Sequence, residues 1–196
     1  MQVRPAITPE DVQSKSGAEL RSSLVIEGLF LSNKVTFVLS HHDRILIGGA
    51  HVEGKDLELT PPAGLRADFL CQRRELGIVC IDNSGSVAVD GTDYPMSRED
   101  ILYVGMGSKQ IFLKGKDATF YFTSSAAHSS HPTTLITKAQ ADSTELGTLE
   151  NSNERTLRKY IHDQGVSSCS MAMGITTIKP GSVWNTMPCH THERRT

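Results

Sequence analysis

Long apolar runs are absent from this sequence. The longest are of the kind Val35-Thr36-Phe37-Val38-Leu39, far short of the roughly 20 residues a membrane-crossing helix needs. The opening residues, MQVRPAITPEDV, hold no apolar stretch of the signal-peptide type, so a cytoplasmic location is expected. An excess of positive charge is missing as well. The formal net charge is −2 and the pI about 6.4, which argues against a surface for nucleic acid or anionic lipid. The four cysteines, Cys71, Cys80, Cys169 and Cys189, form no C-x-x-C pair and no zinc-ribbon spacing, and reduced thiols fit best. Neither a P-loop nor a G-x-G-x-x-G stretch occurs, so nothing points to a nucleotide cofactor. What is present is ordinary for a globular protein: 196 residues, 38% hydrophobic, with 16 glycines, enough for one large domain or two small ones.

Two capping boxes open the chain. Thr8-Pro9-Glu10-Asp11 places a hydroxyl at the N-cap, proline at N1 and an acid at N3, and Ser16-Gly17-Ala18-Glu19 repeats the logic. Short helices are therefore expected near 9–14 and 17–23, suited to packing on a sheet or on a partner subunit. From Leu29 the pattern changes to short β-branched runs separated by Gly, Pro, Asn or Asp: 34–39, 44–47, 56–59, 78–81 and 87–89, continuing at 101–104, 110–113 and 118–123. Asp90-Gly91 between two such runs is a hairpin-turn signal. Many short strands at close spacing imply an all-β barrel or sandwich.

Residues 124–152 are rich in Ser, Thr, Ala and Asn and read as a long connection. Residues 155–161 suit a helix or a strand, and 169–178 alternate as a strand before the turn Lys179-Pro180-Gly181. The sharpest chemical signal comes last. On a strand, His190 and His192 of His190-Thr191-His192 share one face, and two parallel imidazoles can hold one divalent ion. Cys189 points the other way, as does Glu193. A zinc site requires more than two protein ligands.

The segment WNTMPCHTHERR at 184–195 resembles the signature of the 4-deoxy-L-threo-5-hexosulose-uronate ketol-isomerases of pectin breakdown. Other blocks agree in order: SHHDRILIGG at 40–49, RRELGI at 73–78, REDILYVGMGSK at 98–109, SNERTLRKYI at 152–161 and SCSMAMGIT at 168–176. Gln72 departs from the pattern, since an acid usually precedes RRELG in the family. The resemblance implies an all-β, two-cupin chain. Residues 1–28 would form a helical segment, 29–127 a complete N-terminal cupin-like barrel, 128–156 a linker, and 157–196 the start of a metal-binding cupin.

By the same resemblance, His190 and His192 are two ligands of a zinc ion. The family's third ligand, a Glu, would fall just past Thr196 and its fourth, a His, further on, so the chain is expected to be C-terminally truncated. Arg194 and Arg195 are candidates for gripping a substrate carboxylate. The implied reaction converts 5-dehydro-4-deoxy-D-glucuronate to 3-deoxy-D-glycero-2,5-hexodiulosonate, with the catalytic base unassigned and a homohexamer expected. A competing expectation is a truncated, non-catalytic cupin remnant that binds sugar or serves assembly. An iron oxygenase using two His and one carboxylate is disfavoured by the signature.

Other polar clusters carry plainer expectations. Arg73, Arg74 and Glu75 suit an ion-pair network between layers or subunits. His41, His42, Asp43 and Arg44 suit turn chemistry or a second pocket. His128 and His131 belong to a loop, and Trp184 is expected in the core.

Overall fold

The computed structural model describes residues 1–186. Strand β1 (Gln2–Arg4) is followed by helices α1 (Pro9–Ser14) and α2 (Gly17–Leu24). The first barrel is built from β2 (Thr36–Ser40), β3 (Leu46–Val52), β4 (Leu57–Glu58), β5 (Arg74–Asp82) and β6 (Ser84–Val89). It continues with β7 (Thr92–Ser97), β8 (Ile101–Val104), β9 (Ile111–Lys114), β10 (Ala118–Ala126) and β11 (Thr134–Ile136). A separate group comprises β12 (Asp142–Leu146), β13 (Arg155–Ile161) and β14 (Met173–Ile178).

Both helices start where their capping boxes predict. Thr8 and Ser16 each accept from the N3 amide, and Asp11 and Glu19 reach back to the cap amides. Neither helix contains a buried residue, so local hydrogen bonds hold them more than packing does. Asp90 and Gly91 have φ of 48° and 87°, the two positive values a tight hairpin turn requires. The Asp90 carboxylate then accepts from the amides of Lys109 and Gln110, which ties the β6–β7 turn to the start of β9.

A seven-stranded sheet, in the order β1-β2-β3-β10-β5-β8-β11, faces a four-stranded sheet in the order β4-β9-β6-β7. Between them lies the main core. Leu76, Ile78 and Cys80 of β5 and Leu102 and Val104 of β8 meet Val87 and Val89 of β6 and Ile111 and Leu113 of β9 there. This is the two-sheet antiparallel barrel expected of a cupin. Strand β8 is buried at all four positions because both its faces are covered. Its other face, with Ile101 and Tyr103, joins Val79 in a second apolar cluster with Tyr160, Ile161 and Met171.

That second cluster glues a three-stranded sheet, β12-β13-β14, to the outside of the barrel. Gly77 makes the close approach possible, since a Cβ there would stand 2.0 Å from Met173 Sδ and 2.9 Å from Met171 Sδ. Several elements differ from the sequence reading. β1, on a chain that enters before the helices, pairs in parallel with β2 at the sheet edge. The stretch 128–156, read as linker, contributes β11, which pairs with β8, and β12, which pairs with β13. Residues 155–161 are a strand, because pairing on both sides decides what periodicity left open.

Candidate functional site

His190, His192, Arg194 and Arg195 lie outside the described residues, as does Cys189. Among the described residues no group of three or more His, Cys, Asp or Glu is placed to hold a metal ion. The described chain does show how the segment leading to the signature is held, and it is fastened at both ends of β14.

Upstream of β14 the fastening is Glu75. On β5, Glu75 shares a face with Gly77 and Val79, the outer face that the second sheet covers, and it is fully buried. Its Oε2 accepts from Tyr103 Oη and from the Cys169 amide, both at 2.8 Å. Its Oε1 accepts from the Ser170 amide at 2.8 Å and from Ser125 Oγ at 3.1 Å. Burial pushes this carboxyl up, but the amides of Cys169 and Ser170 and the hydroxyls of Tyr103 and Ser125 outweigh it and hold it below its usual range. Burial and the adjacent carboxylate in turn push the Tyr103 hydroxyl well up, so it remains a donor.

Cys169 belongs to the same knot. Its Sγ lies 3.1 Å from Ser129 Oγ and 3.2 Å from the Ser129 carbonyl, and the Ser129 amide points at it from 3.4 Å. Ser129 Oγ is also 3.3 Å from His131 Nε2. Burial opposes ionisation of the Cys169 thiol, yet the Ser129 hydroxyl and the backbone of His128 and Ser129 bring it below the usual thiol range. By contrast, burial pushes Cys71 up to about 12 and Cys80 up to about 11.

Downstream of β14, Lys179 forms ion pairs with Glu145 at 2.6 Å and Glu154 at 3.1 Å. The Ser182 amide closes a turn onto the Lys179 carbonyl at 3.0 Å, across Gly181 at φ 85°. Val183 and Trp184 then donate to the Ser152 carbonyl at 2.7 and 3.2 Å. The lead-in to the signature thus runs beside the start of β13. Between β14 and the barrel lies an open cleft of about 540 Å³, walled by Val79, Ile81, Met173 and Ile175, with Arg98 and Glu99 at its polar side.

Arg74 and Glu75 point to opposite faces of β5, and each is held by hydrogen bonds of its own. Arg74 donates to Ser124 Oγ at 3.0 Å and to the Arg44 carbonyl at 2.9 Å, and Arg73 to the Arg66 carbonyl at 3.2 Å. His42 Nε2 accepts from the Ile7 amide at 3.3 Å, and Asp43 and Arg44 sit at φ 55° and 52°, which is turn chemistry. Trp184 is 41% exposed rather than in the core, its backbone held on the Ser152 carbonyl ahead of β13. Sequence reasoning missed the grouping of Glu75 with Tyr103, Ser125, Cys169 and Ser170. The available signal was the alternation of RELGIVCI, which puts Glu75 in line with Gly77 and Val79.

Comparisons with known proteins follow the same outline. The profile of the KduI/IolB family matches residues 25–196. The 4-deoxy-L-threo-5-hexosulose-uronate ketol-isomerase of Lachnoclostridium phytofermentans is 46% identical over 199 residues, covering 100% of this chain and 72% of that protein. The protein of the same name from Bacillus subtilis (strain 168) is 40% identical over 198 residues, with the same two shares. Among solved structures, an IolB-like protein from Salmonella typhimurium LT2 superposes with a TM-score of 0.52 at 13% identity, over 63% of this chain and 47% of that one. That likeness is one of fold alone.

Proposed function

This chain belongs to the KduI/IolB family, and from that premise we propose that it acts as an aldose–ketose type isomerase on 4-deoxy-L-threo-5-hexosulose uronate. The observation that carries the reading is the 46% identity, along the whole chain, to a relative that bears the ketol-isomerase name. The substrate and product are those the resemblance implied, 5-dehydro-4-deoxy-D-glucuronate and 3-deoxy-D-glycero-2,5-hexodiulosonate, in the breakdown of pectin.

Such a reaction moves a hydrogen between adjacent carbons through an enediolate, so oxyanion charge must be stabilised and a proton shuttled. His190 and His192 would serve as two ligands of a zinc ion, which when bound polarises the substrate carbonyl. Arg194 and Arg195 would grip the carboxylate bidentately. The base is unassigned.

A cytoplasmic homo-oligomer is part of the same proposal. No helix among the described residues is long and apolar enough to cross a membrane. Met1, Val3, Val12, Leu24, Val25, Phe30 and Leu31 leave large apolar side chains exposed around the N-terminal strand and helices, which suits contact with a second subunit.

The test is to express the complete reading frame that contains these residues, supply the purified protein with the uronate and follow formation of the 2,5-diulosonate, with zinc content measured in parallel. Turnover together with about one zinc per chain, both lost in a His190→Ala/His192→Ala variant, is the expected result. Absence of both turnover and zinc from the parent protein would favour the non-catalytic sugar-binding or assembly module instead.

A further inference from the structure

One end of the first barrel concentrates positive charge. Residues directly opposite on paired strands share a face, and the pairs Arg74–Ala126 and Leu76–Ser124 continue the row of Ile78–Phe122 that fills the core. Arg74 therefore stands on the inner face of β5 at the barrel mouth. Across that mouth runs the segment 61–73, with Leu70 in the core and Leu65 packed against it.

Arg74 is half-buried there, and its partners among the described residues are neutral. Nε donates to Ser124 Oγ at 3.0 Å, and Nη2 donates to the carbonyls of Ser124 and Arg44 at 2.6 and 2.9 Å. The two N–H groups of Nη1 find no acceptor among the described residues. Burial pulls this guanidinium below its usual range, and Arg44 pushes the same way. The opposing group is the Cys71 thiol, which burial pushes up to about 12, so it is neutral near pH 7. Asp68, on the covering segment, accepts from the Gln72 side chain at 3.1 Å. Arginine keeps its charge inside a protein. A half-buried cation with neutral partners and two unused donors is completed by an anion.

Space for that anion is present. A pocket of about 200 Å³ is lined by Arg73 and Arg74 and by the apolar side chains of Leu65, Ala67, Leu70 and Ala126. Arg73 is tied to the Arg66 carbonyl through Nη2 at 3.2 Å. Since a water takes about 30 Å³ of liquid, the pocket has room for roughly six non-hydrogen atoms. Two guanidiniums on one side suit a carboxylate, and the apolar wall suits a short carbon body.

We propose that the mouth of the first barrel binds a small organic carboxylate of about three carbons, its oxygens on Arg74 and Arg73 and its carbon body against Leu65, Ala67 and Leu70. The site is built wholly from residues of the first barrel and does not depend on the isomerase reading.

The experiment titrates the purified protein at constant ionic strength with lactate, with its neutral isostere lactamide and with inorganic phosphate, using calorimetry and saturation-transfer NMR. A ligand of six heavy atoms is expected to bind once per chain with a Kd on the order of 1 mM. Lactamide should bind at least about tenfold more weakly, because it cannot take up the charge. Arg73→Gln alters an exposed side chain and should weaken lactate at least about fivefold. Ala67→Leu fills the pocket with both arginines kept and should abolish binding. Arg74→Gln should abolish it too but also loosens the β2–β3 turn, so the other two variants decide should it fail to fold. Lactamide binding as well as lactate, or lactate affinity unchanged in both Arg73→Gln and Ala67→Leu, would overturn the proposal. So would a parent protein that binds no lactate at about 20 mM, well above the expected Kd. Binding of phosphate without lactate would overturn the assignment to a carboxylate.

Discussion

A carboxylate out of contact with water must meet a donor at each oxygen, and Glu75 does so with two amides and the hydroxyls of Tyr103, Ser125 and Ser170. Because its carboxyl titrates below the ordinary value of 4.5 in the folded state, its contribution to stability is complete above that value. It is lost as the pH falls through the depressed folded value. Urea denaturation between about pH 6 and pH 3 should therefore show stability falling with acid, and Glu75→Gln should be weaker at neutral pH but flatter across this range. Equal slopes for the two proteins would contradict the assignment. A second residue-scale outcome concerns thiols. Burial keeps Cys71 and Cys80 protonated, whereas Cys169 is partly exposed and pulled below its usual range. Limited alkylation followed by peptide mapping should modify Cys169 well before Cys71 or Cys80.

At the scale of elements, what the sequence disclosed depended on how local the deciding interaction was. The capping boxes at Thr8 and Ser16 and the Asp90-Gly91 turn involve residues a few positions apart, and the structure places them where the sequence reading did. β1, β11 and β12 are short, and none has an apolar alternation of its own. Their strand state comes from pairing with β2, β8 and β13, which no local pattern announces. The Glu75 knot was hidden for the same reason, since 94 residues separate Glu75 from Cys169.

The helices offer a test of this view. Removing a cap hydroxyl costs about 1 kcal/mol, but α1 and α2 bury no residue. Thr8→Ala and Ser16→Ala should thus speed amide exchange within residues 9–24 while leaving the Tm of the whole protein within about 1 °C of the parent. A drop of several degrees would mean that these helices are packed against something, and a partner subunit would be the first place to look.

At the scale of the molecule, the two sheets of the barrel and the attached third sheet do not separate cleanly. Val79, Ile101 and Tyr103 belong to barrel strands, yet they are buried by Tyr160, Ile161 and Met171 from the second group. A chain cut after residue 127 would keep every fully buried residue of the main core, but it would lose β11 from the sheet edge and uncover this outer face. Burial of each large apolar side chain is worth roughly 1.5–3 kcal/mol, so exposing three or more forfeits on the order of 5 kcal/mol. Domains have only about 5–15 kcal/mol in total. Glu75 would at the same time lose both backbone donors and keep only Tyr103 and Ser125, leaving a charge half-satisfied on an apolar surface. The fragment 1–127 should accordingly bind a hydrophobic dye, aggregate, and melt at least 10 °C below the parent. If it were instead monomeric and as stable as the parent, the second sheet would be an appendage to the barrel, and the shared cluster around Tyr103 and Tyr160 would contribute little to its stability.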